Sequence, residues 1–229
     1  VIGDNIVVRR WRILGSALAA ATFFLAVAVQ AVAGEWYPPP VSMSQYGVGP
    51  NGWLFALWML AFAATPLVLT RTLRPRSRTG LTLLTIGAIG AVVMALVPTD
   101  PGGAQQSSTA QIHTVGAVLG LAFVPMGILS CLWGIRGPWR AGAAVLMAAV
   151  GVSLILLLLA ANGWDNTGLD SVPDPVVLGT APNSAGAPRS WAFWQSVAVV
   201  CDHAMLALMV GSVWWELRPH PRVSQQGAS

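Results

Sequence analysis

Lysine is absent from these 229 residues, and only 9% of them are charged. Soluble domains carry about 25% charge, so a water-exposed globule is excluded as the body of the fold. Cysteine is scarce too: Cys131 and Cys201 are the two present. Both fall inside apolar runs at different depths, so they are expected as small packing residues, with no disulfide between them. No glycine-rich phosphate loop and no nucleophile elbow occurs, and Gly102-Gly103 alone has no such meaning. No internal repeat is evident, which argues against an inverted-repeat transporter.

Long apolar runs dominate what is present. They lie near 13–33, 53–70, 79–98, 112–133, 141–161 and 191–215, each about 18–25 residues and long enough to cross a hydrocarbon core of roughly 30 Å. Arginine alternates between them. Arg9, Arg10 and Arg12 precede the first run, and Arg71, Arg74, Arg76 and Arg78 fill the second connection. Arg136 and Arg140 lie in the fourth, Arg218 and Arg222 in the C-terminal tail. The first and third connections have none and the fifth only Arg189. The positive-inside rule then places both termini in the cytoplasm. The expected fold is all-α: a single domain over 1–229, a six-span helical bundle in the plasma membrane. The pI near 10 therefore marks topology and contact with membrane lipid, and nucleic acid is not expected as a partner. The first run follows arginines and ends in Ala33-Gly34-Glu35; it is expected to be retained as a span rather than cleaved as a signal peptide.

Local signals agree. Pro38-Pro39-Pro40 end the first run, and Pro50-Asn51-Gly52 precede the second. Trp36, Tyr37 and Trp53 suit the outer interface; Trp11, Trp133, Trp139, Trp214 and Trp215 suit the inner one. Pro66 and Pro125 fall within spans, where each removes a backbone donor. Gly87 and Gly90 in the third span and Gly116 and Gly120 in the fourth predict close helix packing. The fifth span has no polar face after Ser153 and is expected to face lipid. The long first and fifth connections (34–52 and 162–190) put the elaboration on the outer face, and the fifth is a candidate lid.

Asp202 is the acid in the interior of a span, with His203 next to it. Counting inward from Trp191 at 1.5 Å per residue puts it roughly 16 Å deep. An ionised carboxylate there costs at least about 2.5–3.5 kcal/mol, so the group must face the bundle, pair, or hold its proton. Gln195 and Trp191 share its stripe. Two readings are open: a structural carboxyl tying a neighbouring helix through His203, Gln30 or a backbone carbonyl, or a protonated acid poised to donate. His203 is equally open between hydrogen-bond partner and base. A second constellation is Pro98-Thr99-Asp100-Pro101 followed by His113. The loop between can fold so that carboxylate and imidazole meet and fix a tautomer; the alternative is a clasp in which each pins the loop.

The run from Val41 to Trp53, then Pro98-Thr99-Asp100-Pro101 and His113, resembles the bacterial membrane family called domain of unknown function 998. That resemblance implies about six spans, a Pro-x-Asp motif and a following histidine. It also implies a polar motif around Gln195, where an arginine is expected beside the glutamine and Ser196 stands instead. It implies no activity.

Three functions compete. The leading one is an integral-membrane enzyme doing acid-base chemistry on a hydrophobic, isoprenoid-type substrate, with no cofactor. Asp202 would protonate an alkene or epoxide, and Trp58, Trp191, Phe193, Trp194, Gln195 and Tyr46 would line the substrate site. Glu35, Asp100, His113 or His203 would complete the acid-base set. Small integral-membrane terpene cyclases are similar in size and helical character. The second is a non-enzymatic lipid-binding, accessory or transport-related bundle, for which the sequence names no protein partner. The third is a metal-dependent membrane hydrolase using Asp100, His113 and His203. Zinc sites usually take three protein ligands, and His220 lies in the opposite tail.

Overall fold

Inside a hydrocarbon core every backbone N–H and C=O must be paired within the protein, and an apolar run achieves that by coiling into an α-helix. The computed structural model describes residues 2–34, 41–73, 77–101, 106–135, 138–164, 167 and 189–215; these contain helices and connections and no strand. The helices are α1 (Ile2–Ala33), α2 (Gly52–Leu69), α3 (Arg78–Leu96), α4 (Ser108–Leu132), α5 (Trp139–Ala161) and α6 (Arg189–Trp215). All six are long and apolar enough to span a membrane. The chain is an all-α, six-helix, multi-pass membrane protein.

The boundaries follow local chemistry. Ser77 and Ser107 cap α3 and α4, their hydroxyls accepting the N–H of Gly80 at 3.0 Å and of Ala110 at 3.1 Å. The second cap starts α4 four residues before the expected 112, which puts His113 inside its second turn. α1 runs 32 residues, about 48 Å of helix against a core of roughly 30 Å, so the turn with Arg9 and Arg10 projects beyond the apolar layer. Pro66 and Pro125 sit within continuous helices.

Contacts at the helix ends set the relative directions. Trp214 of α6 donates its indole N–H to Ser16 of α1 at 3.0 Å. The Trp139 and Trp215 rings meet edge-to-face at 6.0 Å, and the Arg140 guanidinium lies over Trp133. The described arginines, apart from Arg189 at the opposite end of α6, thus gather at one end of the bundle. At the other end the first connection dips inward. A 3-10 turn, Met43–Gly47, buries Met43, Gln45 and Tyr46. Gly49, at φ +100°, turns the chain back out, and a Cβ at Gly52 would lie 2.5 Å from the Gly47 carbonyl oxygen.

The tightest seam is between α3 and α4, as the glycines predict. A Cβ on Gly90 would lie 2.6 Å from both the Gly116 oxygen and the Gly120 nitrogen, and one on Gly87 2.7 Å from the Val124 nitrogen. α5 turns Val145, Val152, Ile155 and Leu158 outward, each more than half exposed, and Ser153 satisfies itself on the Ala149 carbonyl at 2.7 Å. Both cysteines are free thiols.

Candidate functional site: a closed acid chamber beside a lipid-facing cleft

Helical spacing on two elements builds the chamber. On α6, Gln195, Val199, Asp202 and His203 share one face; on α2, Phe55, Trp58, Met59 and Phe62 do the same. Met43 and Ser44 of the 3-10 turn close the loop end, and Met94 and Leu121 line the α3–α4 side. The space enclosed is about 20 Å³, room for about one water-sized molecule. Asp202 is the fourteenth of the 27 residues of α6, at the middle of the helix. It is completely buried, and neither carboxyl oxygen has a hydrogen-bond partner. Its surroundings are mostly thioethers, aliphatic chains and ring faces, and the polar side chains of the lining, Ser44, Gln195 and His203, make no hydrogen bond to it.

His203 has both ring nitrogens engaged. Nδ1 lies 2.7 Å from the Val199 carbonyl, which only accepts; the Trp58 indole N–H, which only donates, lies 3.0 Å from Nε2. The imidazole is therefore neutral, with its proton on Nδ1. Phe62 stacks on it at 5.8 Å and Phe23 meets it edge-on at 5.3 Å. Both ring nitrogens are thus engaged as hydrogen-bond partners. Asp202 does not bond to His203 or to Gln30, so the tie between helices expected of the structural reading is not made by those groups.

A larger space lies on the other side of the Trp58–His203 pair. It measures about 350 Å³ and opens between α1 and α6, with Phe23, Val27 and Gln30 on one wall and Val200, Ala204 and Ala207 on the other. Met43, Trp58, Val199 and His203 line both spaces. The two are neighbouring rooms with a shared aromatic wall.

The loop end is held by polar clasps. The Gln195 carboxamide oxygen accepts the Met43 N–H at 2.8 Å, and the Gln45 carboxamide donates to the Asp100 carbonyl at 3.0 Å. Asp100 and His113 do not meet; each bonds to the loop separately, the arrangement of the clasp alternative. The Asp100 carboxylate instead accepts the Ser107 hydroxyl and the N–H groups of Ser107 and Gln106 at the start of α4. Those bonds, the Ser107 hydroxyl foremost, hold its carboxyl below the usual carboxylate range despite partial desolvation. A carboxylate that donors grip this firmly is a loop anchor and a poor base. His113 donates Nδ1–H to the Val97 carbonyl at 2.6 Å. Its buried Nε2 has no partner, and Phe55 stacks on it at 6.3 Å.

Other expected site residues divide. Trp58 and Gln195 line the chamber, whereas Trp191, Phe193, Trp194 and Tyr46 line neither space. Phe193 and Trp194 project about 100–160° round α6 from Gln195, and Trp191 lies a turn further out. Tyr46 is buried in the 3-10 turn, but the residues of that turn facing the chamber are Met43 and Ser44. Glu35 and most of the proposed 162–190 lid lie outside the described residues. Among the described residues the first connection closes the chamber, through Met43 and Ser44. Among the described residues no three His, Cys, Asp or Glu side chains converge on a metal position, and Asp100, His113 and His203 each bond to a different partner. Sequence reasoning missed Met43, Phe55 and Phe62. The 55, 58, 62 spacing of aromatics was the available signal for two of them.

Comparison with known proteins agrees with the fold and assigns no chemistry. Residues 17–212 match the model of the family described as protein of unknown function (DUF998), and the chain belongs to that family. No curated protein and no solved structure matches it.

Proposed function

We propose that this DUF998 member is an integral-membrane enzyme that works on an apolar, isoprenoid-type molecule, with Asp202 as the proton donor. The observation behind this is the carboxyl itself, fully buried at mid-helix with both oxygens free and aromatic faces around it. A charged carboxylate without a partner at that depth is costly, and the neutral acid is the form such a site tolerates. An acid in a dry site can protonate an alkene: the carboxyl O–H breaks, a C–H bond forms, and a carbocation results. The faces of Phe55, Trp58 and Phe62 stabilise that cation through their quadrupoles. Loss of a neighbouring proton back to the Asp202 carboxylate restores the enzyme and yields an isomer or a ring. No second base is then required, in keeping with the engagement of Asp100. By the positive-inside rule the arginine-bearing end is cytoplasmic and the 3-10 turn closes the outer side of the plasma membrane.

A second reading, binding without turnover, draws on the volume of the chamber: about 20 Å³ admits no prenyl chain unless the aromatic wall moves. One experiment separates the two. Membranes with the wild-type chain or Asp202→Asn are incubated with prenyl alcohols and epoxy-prenyl compounds, and products are followed by mass spectrometry. The enzyme reading expects a new isomeric product that the variant fails to make, with turnover reduced at least about a hundredfold. Product formed equally by Asp202→Asn membranes rules out Asp202 as the acid. Absence of product from folded wild type across the panel favours binding.

A further inference from the structure

The space between α1 and α6 carries an inference of its own. It is roomier than the acid chamber, about 350 Å³ against 20 Å³. Its mouth is flanked by Phe23, Val27 and Val200, which are 38%, 65% and 51% exposed on membrane-spanning stretches of α1 and α6. It therefore opens to lipid rather than to water. Most of its lining is apolar, yet Gln30 stands in it with a carboxamide that bonds to none of the other described residues. Among the described residues no charged side chain lines it. An unpaired amide facing hydrocarbon loses about 1–3 kcal/mol unless a partner arrives, and in such surroundings the partner comes from a lipid-phase molecule.

We propose that this cleft is a binding site for a single hydrocarbon chain ending in an uncharged oxygen group, such as a long-chain alcohol or carbonyl compound. The oxygen hydrogen-bonds to Gln30 near the outer end of α1, and the chain lies along Phe23, Val27, Ala204 and Ala207. The absence of charge among the described lining residues selects against a phosphate or an ammonium head group, because a charge there would be desolvated and unpaired. The chain enters sideways from the outer leaflet and rests against the Trp58–His203 wall. The inference rests on the proposed role of Asp202 only for what happens next: parting of the Trp58 and His203 rings joins the cleft to the acid.

The test uses the full chain in nanodiscs and two photoreactive probes, a diazirine-bearing C15 isoprenoid alcohol and the matching hydrocarbon without oxygen. Adducts are mapped by mass spectrometry for wild type, Gln30→Leu, Ala204→Phe and Asp202→Asn, with thermal unfolding of each as a folding control. The alcohol probe should label peptides of α1 and α6 around the cleft. Gln30→Leu should lower that labelling about threefold to tenfold and leave the hydrocarbon probe unaffected. Ala204→Phe should fill the cleft and abolish labelling there, whereas Asp202→Asn should label like wild type. Labelling spread over the lipid faces of α3 and α5, or indifferent to both Gln30→Leu and Ala204→Phe in folded protein, overturns the site. Cleft labelling without any product leaves the site standing and removes the enzyme. Product formation that survives Ala204→Phe removes this cleft as the route and leaves the acid in place.

Discussion

Asp202 decides most at the scale of single residues. A carboxyl group with two unpartnered oxygens costs stability, and an apolar side chain of similar volume would not. Asp202→Leu is therefore expected to raise stability by about 1–3 kcal/mol, read as a higher midpoint of thermal unfolding in detergent. A lower midpoint would mean that the carboxyl has a structural partner after all. Position in the sequence pointed to this residue, because an acid in mid-span is conspicuous. What position could not tell is that His203 is spoken for. Its tautomer depends on Trp58, 145 residues away along the chain, and no local pattern announces a partner at that separation. The same holds for Asp100 and His113: their proximity in the chain made a dyad plausible, but Ser107 and Val97 offered nearer and better-aimed partners.

At the scale of elements, the helices obey length, capping and small-residue spacing. The α3–α4 seam depends on glycines, so Gly90→Ala should force the helices apart and lower stability by about 1–3 kcal/mol. Gly151 offers the contrast. It lies in α5 with nothing within 4 Å of an added Cβ, so Gly151→Ala should raise stability by roughly 0.5–1 kcal/mol through helix propensity alone. Unfolding of the two variants side by side tests the seam. The connection between α3 and α4 is anchored by Asp100, whose folded form titrates below its ordinary value of 3.8. Such a group stabilises the fold fully above that value, and the contribution is lost as pH falls through its lowered folded one. The stability gap between wild type and Asp100→Asn should accordingly be constant near neutrality and close on acidification below 3.8. A gap that widens in acid would contradict the clasp.

At the scale of the whole molecule, orientation follows from arginine and access from the packing of α1. The arginine-bearing end is expected in the cytoplasm. With Cys131 and Cys201 replaced by alanine, a cysteine at Pro50 should react with a membrane-impermeant maleimide in intact cells. One at Thr79 should react only after the membrane is opened, and the reverse pattern would invert the topology. α1 leans on α2 and leaves a cleft against α6, which makes it the element whose displacement would widen the lipid-side entrance. The bundle thus combines a tight scaffold at α3–α4 with a looser lateral opening between α1 and α6.

Span number, span length and the arginine bias were determined by the sequence alone, because each reflects what one segment costs in hydrocarbon or at its edge, independent of its neighbours. Asp202 and the glycine seam were legible for the same reason. Tertiary structure alone decided the rest: that the first connection closes the chamber through Met43 and Gln195, that Trp58 occupies His203, and that the chamber and the cleft share a wall. Those are agreements between distant segments. They depend on which helix faces come together, and that choice is made by the packing of all six at once.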